Sequence, residues 1–299
     1  MRTSFIDQLI IEARKNDKIF LLVGDLGYNV VEPFANEFPD RYINVGICEQ
    51  NMAGIAGGLA MNGWIVYCYS IGNFPTLRCI EQIRNDIVYY HSNVRIVSVG
   101  AGYAYGSQGV SHHATEDIGM LRTLPGMAIC SPSDPIEARM LTTISSHYQG
   151  PMYIRLGKAG EKVFHLKGLE NYHMGDLLPL KLTEKAKKAV LVSGSVLSTI
   201  MDDIEEKRLD VDVFTIPVVK PINSSQLCEI AKKYNEISVV EEHQKSAGVG
   251  SAVVESLSDS YCQGKIEQFP KIRRIAIDDV FYSVVGDEKY LRSLAGLTL

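Results

Sequence analysis

Short apolar, β-rich runs that end at Gly, Ser or Asp alternate with helical patterns along the whole chain, and few folds satisfy that alternation. "KIFLLVGD", "YINVG", "WIVYCYS", "VRIVSVG", "MAICSPSD" and "PMYIRLG" come first, interleaved with helical segments such as "TLRCIEQIRNDIVYYH" and "PIEARMLTTISSHY". In the latter, Pro135 falls where a first helical turn tolerates proline. The pattern predicts an α/β fold, a mostly parallel sheet with helices on both faces. "KAGEKVFHLKGLENYHMGDLLPLKLTEKAKK" interrupts the rhythm and carries more charge, as a linker would. A second alternating run follows, with "AVLVSGS", "VDVFTIPVV", "ISVVEEH" and "IRRIAIDD" as its strands. Two doubly wound, mostly parallel-sheet domains are therefore expected, over residues 1–165 and 186–299, joined by a linker over 166–185.

Composition mainly excludes. A formal net charge of −5, with both signs interspersed, carries no signature of nucleic-acid binding or of an anionic membrane surface. "MRTSFIDQLIIEARKNDK" is an amphipathic helix pattern and not a signal peptide. No apolar run approaches the ~20 residues needed to span a bilayer. Cys48, Cys68, Cys79, Cys130, Cys228 and Cys262 form no CxxC pair and read as reduced core residues, not as a disulfide frame or zinc site. The expectation is a soluble, cytoplasmic protein.

Several strand ends carry more glycine and polar side chains than turns require. In "RYINVGICEQNMAGIAGGLAMNG", residues 41–63, Glu49 stands between a strand-like run and a helix built largely of Gly, Ala and Met. A carboxylate there is favoured by the helix dipole, by roughly 0.3–1 kcal/mol. The alternative is that it faces a cofactor. Asp25, in "VGDLG", follows a strand, where ligands collect in open α/β sheets; a turn Asp before Gly27 reads equally well. "VGAGYAYGSQGVSHHATEDIGMLRTLP" is a long Gly-rich loop with adjacent His112 and His113 and the acid pair Glu116 and Asp117. A loop of that length between ordered elements points to function. A His–His–Asp metal site there lacks a third ligand at metal-site spacing. Phe74, in "YSIGNFPTLRCIEQIRND", is either core filling or a face for a flat heteroaromatic ring. "EEHQKSAGVG" ends a strand in the second half, and the small residues after it allow close helix packing.

Taken in order, D-L-G, R-x-I-N-V-G-I-x-E-Q-N-M, E-Q-I-R-N-D, G-x-x-H-H-x-x-E-D, S-P-S-D and E-E-H-x-x-x-x-G-x-G resemble the C-terminal half of transketolase. The set is also similar to 1-deoxyxylulose-5-phosphate synthase. The likeness covers nearly the whole chain. It implies a domain that binds the aminopyrimidine ring of thiamine diphosphate, followed by a smaller C-terminal domain. The family's catalytic glutamate falls on Glu49, whose hydrogen bond to a ring nitrogen favours the imino tautomer that deprotonates the thiazolium carbon. Glu49 must then hold or share a proton near neutral pH, which burial favours. Phe74 would stack on the ring, with Ile71 as the other occupant of that place, and Asp25 would line the cofactor cleft. His112, implied as a second catalytic residue, matches the histidine of the family's Thr-His-Gln motif that faces the sugar. His113 stands where that motif has glutamine. Arg155 or Lys158, in "IRLGK", occupies the basic strand end where the family holds a substrate phosphate. Lys158 replaces an arginine, and lysine cannot grip phosphate bidentately.

The family's Gly-Asp-Gly motif, which binds the diphosphate through Mg²⁺, is missing; "VGDL" at 23–26 belongs to the pyrimidine half. The resemblance therefore implies one subunit of a split transketolase-like enzyme that moves a two-carbon ketol unit between sugars or sugar phosphates. Thiamine diphosphate and Mg²⁺ are the implied cofactors. The metal ligands would come from an N-terminal partner subunit in an α2β2 heterotetramer, and the free chain would self-associate through both domains. Two other readings stand beside this one. A β subunit of a 2-oxo acid dehydrogenase decarboxylating component shares the domain pair, but "SHH" and "RYINVGICEQNM" favour transketolase. A non-catalytic regulatory subunit of the same fold would not need Glu49, Phe74 and the histidine pair together.

Overall fold

A computed structural model describes residues 1–166, 169 and 171–299. The first half supplies strands β1 (Ile19–Val23), β2 (Tyr42–Asn44), β3 (Ile65–Ile71), β4 (Val94–Val99), β5 (Ala128–Cys130) and β6 (Met152–Leu156). Its helices are α1 (Arg2–Lys15), α2 (Glu32–Glu37), α3 (Glu49–Met61), α4 (Ile80–Gln82, continued by a π-helical turn over Ile83–Val88), α5 (Asp117–Arg122) and α6 (Pro135–His147). The second half supplies β7 (Leu178–Lys181), β8 (Lys188–Ser193), β9 (Asp212–Thr215), β10 (Val218–Lys220), β11 (Glu236–Gln244) and β12 (Lys271–Ile277). With them run α7 (Leu197–Glu206), α8 (Ser224–Lys233), α9 (Val249–Cys262) and α10 (Glu288–Leu294).

A seven-stranded sheet has the order β10-β5-β6-β4-β3-β1-β2 and a five-stranded sheet the order β12-β11-β8-β9-β7. Every pairing is parallel except β10 with β5 and β7 with β9. Strands β1 and β4 are buried along their entire length, as parallel strands covered on both faces must be. Arg95 is the charged exception in β4. Its guanidinium donates to the carbonyls of Ser145, Tyr148 and Gly150 at 2.8, 2.5 and 2.7 Å, so the charge sits at the C-terminal end of α6, where the helix dipole favours a cation.

Two segments depart from the expected pattern. "VDVFTIPVV" reads as one strand but forms two, one in each sheet. The Ile216 N–H still bonds Val192 beside β9, but Pro217 has no N–H to continue the ladder. Its carbonyl instead accepts from Ser131 at 2.8 Å, and β10 lies antiparallel to β5. A single run thus stitches the sheets together. The segment read as a linker also contributes an edge strand, β7. The cysteines divide as well: Cys68, Cys79, Cys130 and Cys228 are buried, but Cys48 and Cys262 are exposed, so these two are not core residues. Cys48 immediately precedes α3, where the chain leaves β2 for solvent before turning into the helix. Among the described residues no helix is long and apolar enough to cross a membrane.

The carboxyl ends of β1, β3, β4 and β6 lie side by side, followed by Gly24, Gly72, Gly100 and Gly157. In open α/β sheets that edge is where ligands bind.

Candidate active site

Glu49 opens α3, and its carboxylate lies at that edge with the residue only 2% exposed. One oxygen accepts from the Ser70 hydroxyl at 3.3 Å, and the other pairs with the Arg78 guanidinium at 3.1 Å. Gly24 makes the approach possible: a Cβ there would lie 3.3 Å from Ser70 Oγ and 3.5 Å from Glu49 Cγ. Arg78 turns back four residues to lie over the half-buried Phe74 ring, its Cζ 5.0 Å from the centroid. The His112 ring meets Phe74 edge-on, with centroids 5.2 Å apart. Glu49, Arg78, Phe74 and His112 therefore form one continuous line of contacts, although they come from three separate loops.

The other residues singled out from the sequence lie around this line. Asp25 is exposed at φ +51° and bonded to Asn44, its N–H to Oδ1 and its Oδ1 from Nδ2, both at 3.0 Å. Ile71 is the last residue of β3, paired with Val99 of β4 and packed against the apolar core; Phe74, not Ile71, meets His112 and Arg78. The histidine pair splits. His112 faces Phe74, whereas His113 is 4% exposed and stands edge-on to Tyr103 at 5.0 Å. Burial pushes the His113 pKa down, and its Nε2 is buried with no hydrogen-bond partner.

Arg155 and Lys158 also part. Arg155 is 2% exposed; Nε donates to Asp117 at 2.7 Å, and Nη2 donates to the carbonyls of Ala114 and Glu242 at 2.6 and 2.9 Å. Tyr153 donates to the same Asp117 oxygen. A buried guanidinium has to be paired, and here the pairing faces the protein interior, so Arg155 does not present itself to a substrate phosphate. Lys158 is exposed, its Nζ 5.0 Å from the Tyr105 ring centroid. Of the two cations at that strand end, it is the one open to solvent.

The "EEH" motif ties the halves together. Glu241 accepts the N–H groups of Val249 and Gly250 at 2.6 and 2.8 Å and so caps α9; burial raises its pKa to about 7. His243 is fully buried, its pKa lowered by burial. It accepts the Gly119 N–H on Nε2 at 3.1 Å, which leaves Nδ1 to donate to the Gln244 carbonyl. Sequence reasoning missed Arg78 and Ser70. The signal for Arg78 was its position four residues after the loop aromatic, at the start of a helical run, where an i,i+4 contact is available.

What this arrangement can hold follows from its groups. The Glu49 carboxylate can hydrogen-bond a ring nitrogen or amine, and the Phe74 face can stack on a flat ring. Among the described residues no group of three or more His, Cys, Asp or Glu side chains is placed to hold a metal ion. Tyr28, Ile43 and Ile47, on segments flanking Glu49, are 70%, 44% and 74% exposed, an apolar margin that ordinarily marks an interaction surface.

Comparison with known proteins identifies two family models along the chain: transketolase, pyrimidine binding domain, over residues 1–160, and transketolase, C-terminal domain, over residues 182–296. A subunit of an apulose-4-phosphate transketolase from Actinobacillus succinogenes is 32% identical over 89% of this chain and 84% of its own length. A 6-deoxy-6-sulfo-D-fructose transketolase subunit, SqwH, of a Clostridium species is 28% identical over 100% of this chain and 90% of its own. Among solved structures, a split gene transketolase described as an inactive beta4 tetramer superposes with a TM-score of 0.84 at 30% identity, covering 99% of this chain and 93% of that one.

Proposed function

This chain belongs to the transketolase family, and from that premise we propose that it is the pyrimidine-binding subunit of a split, thiamine diphosphate-dependent transketolase. The observation that carries the reading is the line Glu49–Arg78–Phe74–His112 at the strand ends. It sets a buried carboxylate, an aromatic face and a histidine along one edge. The residues fit the pyrimidine end of the cofactor: Glu49 would hold it through a hydrogen bond and Phe74 through stacking. When bound, thiamine diphosphate supplies a nucleophilic carbon able to take up a two-carbon ketol unit from one sugar and pass it to another.

This chain's own work is to hold and move protons and to position sugar. Glu49 would offer its buried carboxylate to the ring nitrogen, and the Ser70 hydroxyl fixes one of its oxygens. Arg78 holds the other oxygen, at 3.1 Å. His112 would donate to or accept from sugar hydroxyls beside Phe74, while His113 packs against Tyr103 within the same loop. Lys158 offers an ammonium to an anionic sugar substituent, phosphate or otherwise. The names of the two relatives above refer to a phosphorylated and a sulfonated sugar respectively, and an unforked cation suits either anion. Asp25 lines the edge through Asn44.

The Mg²⁺ and its ligands come from a partner chain that carries the Gly-Asp-Gly motif, in an α2β2 assembly that works in the cytoplasm. Relatives of the same extent are named as transketolase subunits and as a split-gene product, and the apolar margin around Glu49 suits a covering partner. The dehydrogenase and regulatory readings have no comparable support, since residues 1–160 and 182–296 match transketolase models and Glu49 is joined through Arg78 to Phe74 and His112. Calorimetric titration with thiamine diphosphate and Mg²⁺, with and without the partner, tests the proposal. Tight metal-dependent binding and ketol transfer by this chain alone would overturn it.

A further inference from the structure

The loop that carries His112 and His113 has little secondary structure of its own. It consists of two short 3₁₀ turns, Gly106–Gln108 and Val110–His112. Its two ends close on each other through an isolated antiparallel bridge between Gly102 and Ala114, with N–H to O distances of 2.9 and 3.0 Å. That neck is gripped from the second half of the chain. Glu242, on β11 and 1% exposed, accepts the Tyr103 N–H on Oε1 at 3.2 Å. Gly102 leaves it room: at φ +58° and without a side chain, it stands where a Cβ would lie 2.4 Å from the Glu242 carboxyl carbon.

A carboxylate this deep needs a cation, and Arg292 of α10 supplies it. Nε and Nη2 of Arg292 bind the two Glu242 oxygens at 3.0 and 2.7 Å. Ser195 and Glu288 hold the same guanidinium at 2.8 and 2.5 Å. Helix α10 also seats Leu291 against Gly106, where a Cβ would lie 2.3 Å from Leu291 Cδ1.

We propose that Glu242 and Arg292 are a pair of positioning residues that set the histidine loop from the C-terminal half, so that this half determines how the sugar is presented. The inference rests on the reading of that loop as substrate-facing. Arg292 fixes the orientation of the Glu242 carboxylate, and the carboxylate holds the Tyr103 amide. Tyr103 in turn packs edge-on against His113 and fixes the end of the loop from which His112 reaches Phe74. A charge pair suits this task because a fork on a carboxylate specifies direction as well as distance.

The test pairs two measurements on Glu242→Gln, which keeps the size and an acceptor oxygen but loses the charge. Hydrogen exchange of the full chain is expected to quicken on the order of tenfold at the amides of residues 103–114, with the sheets unchanged. In the complex with the partner subunit, kcat/KM for the sugar donor is expected to fall by roughly ten- to a hundredfold. That loss should be carried by KM, with the thiamine diphosphate half-saturation unmoved. Should Glu242→Gln fail to fold, Gly102→Ala perturbs the same neck from the other side and should give the same pattern. Exchange that rises throughout the chain, or not at all in the loop, overturns the pair's role. Loop-confined exchange with unchanged KM leaves the clamp standing and overturns the substrate-facing reading on which the inference rests.

Discussion

Replacing Gly57 with alanine tests what holds Glu49 in place. Gly57 lies on α3 about two turns beyond Glu49 and is buried against the π-helical turn that follows α4. A Cβ there would stand 2.6 Å from the backbone oxygen of Asp86 and 3.4 Å from its Cβ, the first well inside the ~3.5 Å of ordinary contact. A backbone oxygen cannot rotate aside, so α3 has to shift. Gly58, the next residue, would meet nothing within 4 Å. Either alanine gains the same ~0.8–1 kcal/mol of helix propensity, but only Gly57→Ala incurs overpacking, at about 1–3 kcal/mol. The propensity gain cancels between the two variants. Gly57→Ala is therefore expected to be less stable than Gly58→Ala by about 1–3 kcal/mol. Urea denaturation of the chain at two protein concentrations measures this and exposes any contribution from association. A difference below about 0.5 kcal/mol, or one of opposite sign, would refute the packing argument, and the seating of Glu49 at the head of α3 would fall with it.

Four further outcomes follow from the same geometry. Glu49→Gln keeps the fold but removes proton sharing, so turnover should fall by on the order of 10²–10⁴; wild-type proton exchange at the cofactor thiazolium in the assembled enzyme would return Glu49 to a helix-dipole role. Lys158→Ala should raise KM about tenfold for anionic sugars at little cost in stability, and an equal effect on uncharged sugars would remove its anion-binding role. Arg155→Met should instead lower stability by about 3–5 kcal/mol, because it strands the buried Asp117; urea denaturation measures the loss, and a wild-type midpoint would contradict it. Burial raises the Glu137 pKa from 4.5 to about 7 beside Asp134 and His165. The folded state favours the protonated form, so this stability is present below pH 4.5 and lost as pH rises through about 7. Glu137→Gln should flatten the decline in unfolding free energy over that window, and an unchanged slope would show that Glu137 does not hold the proton.

What the sequence disclosed, and what it withheld, divides along a physical line. Parallel strands buried on both faces are continuous apolar runs, so β1, β3, β4 and β6 were legible from local pattern alone. "VDVFTIPVV" was misread because a run of apolar residues does not say which sheet it joins; only the missing N–H of Pro217 hinted at a break. The same limit governs the site. Glu49 and Phe74 stood out because each is chemically odd where it sits, an acid opening a Gly/Ala helix and an aromatic in a Gly/Asn/Pro loop. Arg155 and Lys158 were indistinguishable, since both end one strand and both are cations. What separates them is Asp117, 38 residues away, which draws one guanidinium inward and leaves the ammonium three residues later in solvent. Glu242 and Arg292 belong with Arg155. They are 50 residues apart, and nothing local sets this acid apart from Glu241 beside it, which caps a helix instead. The long-range partner decides whether a buried charge supports a site or faces a ligand, and that partner becomes visible only when the chain is folded.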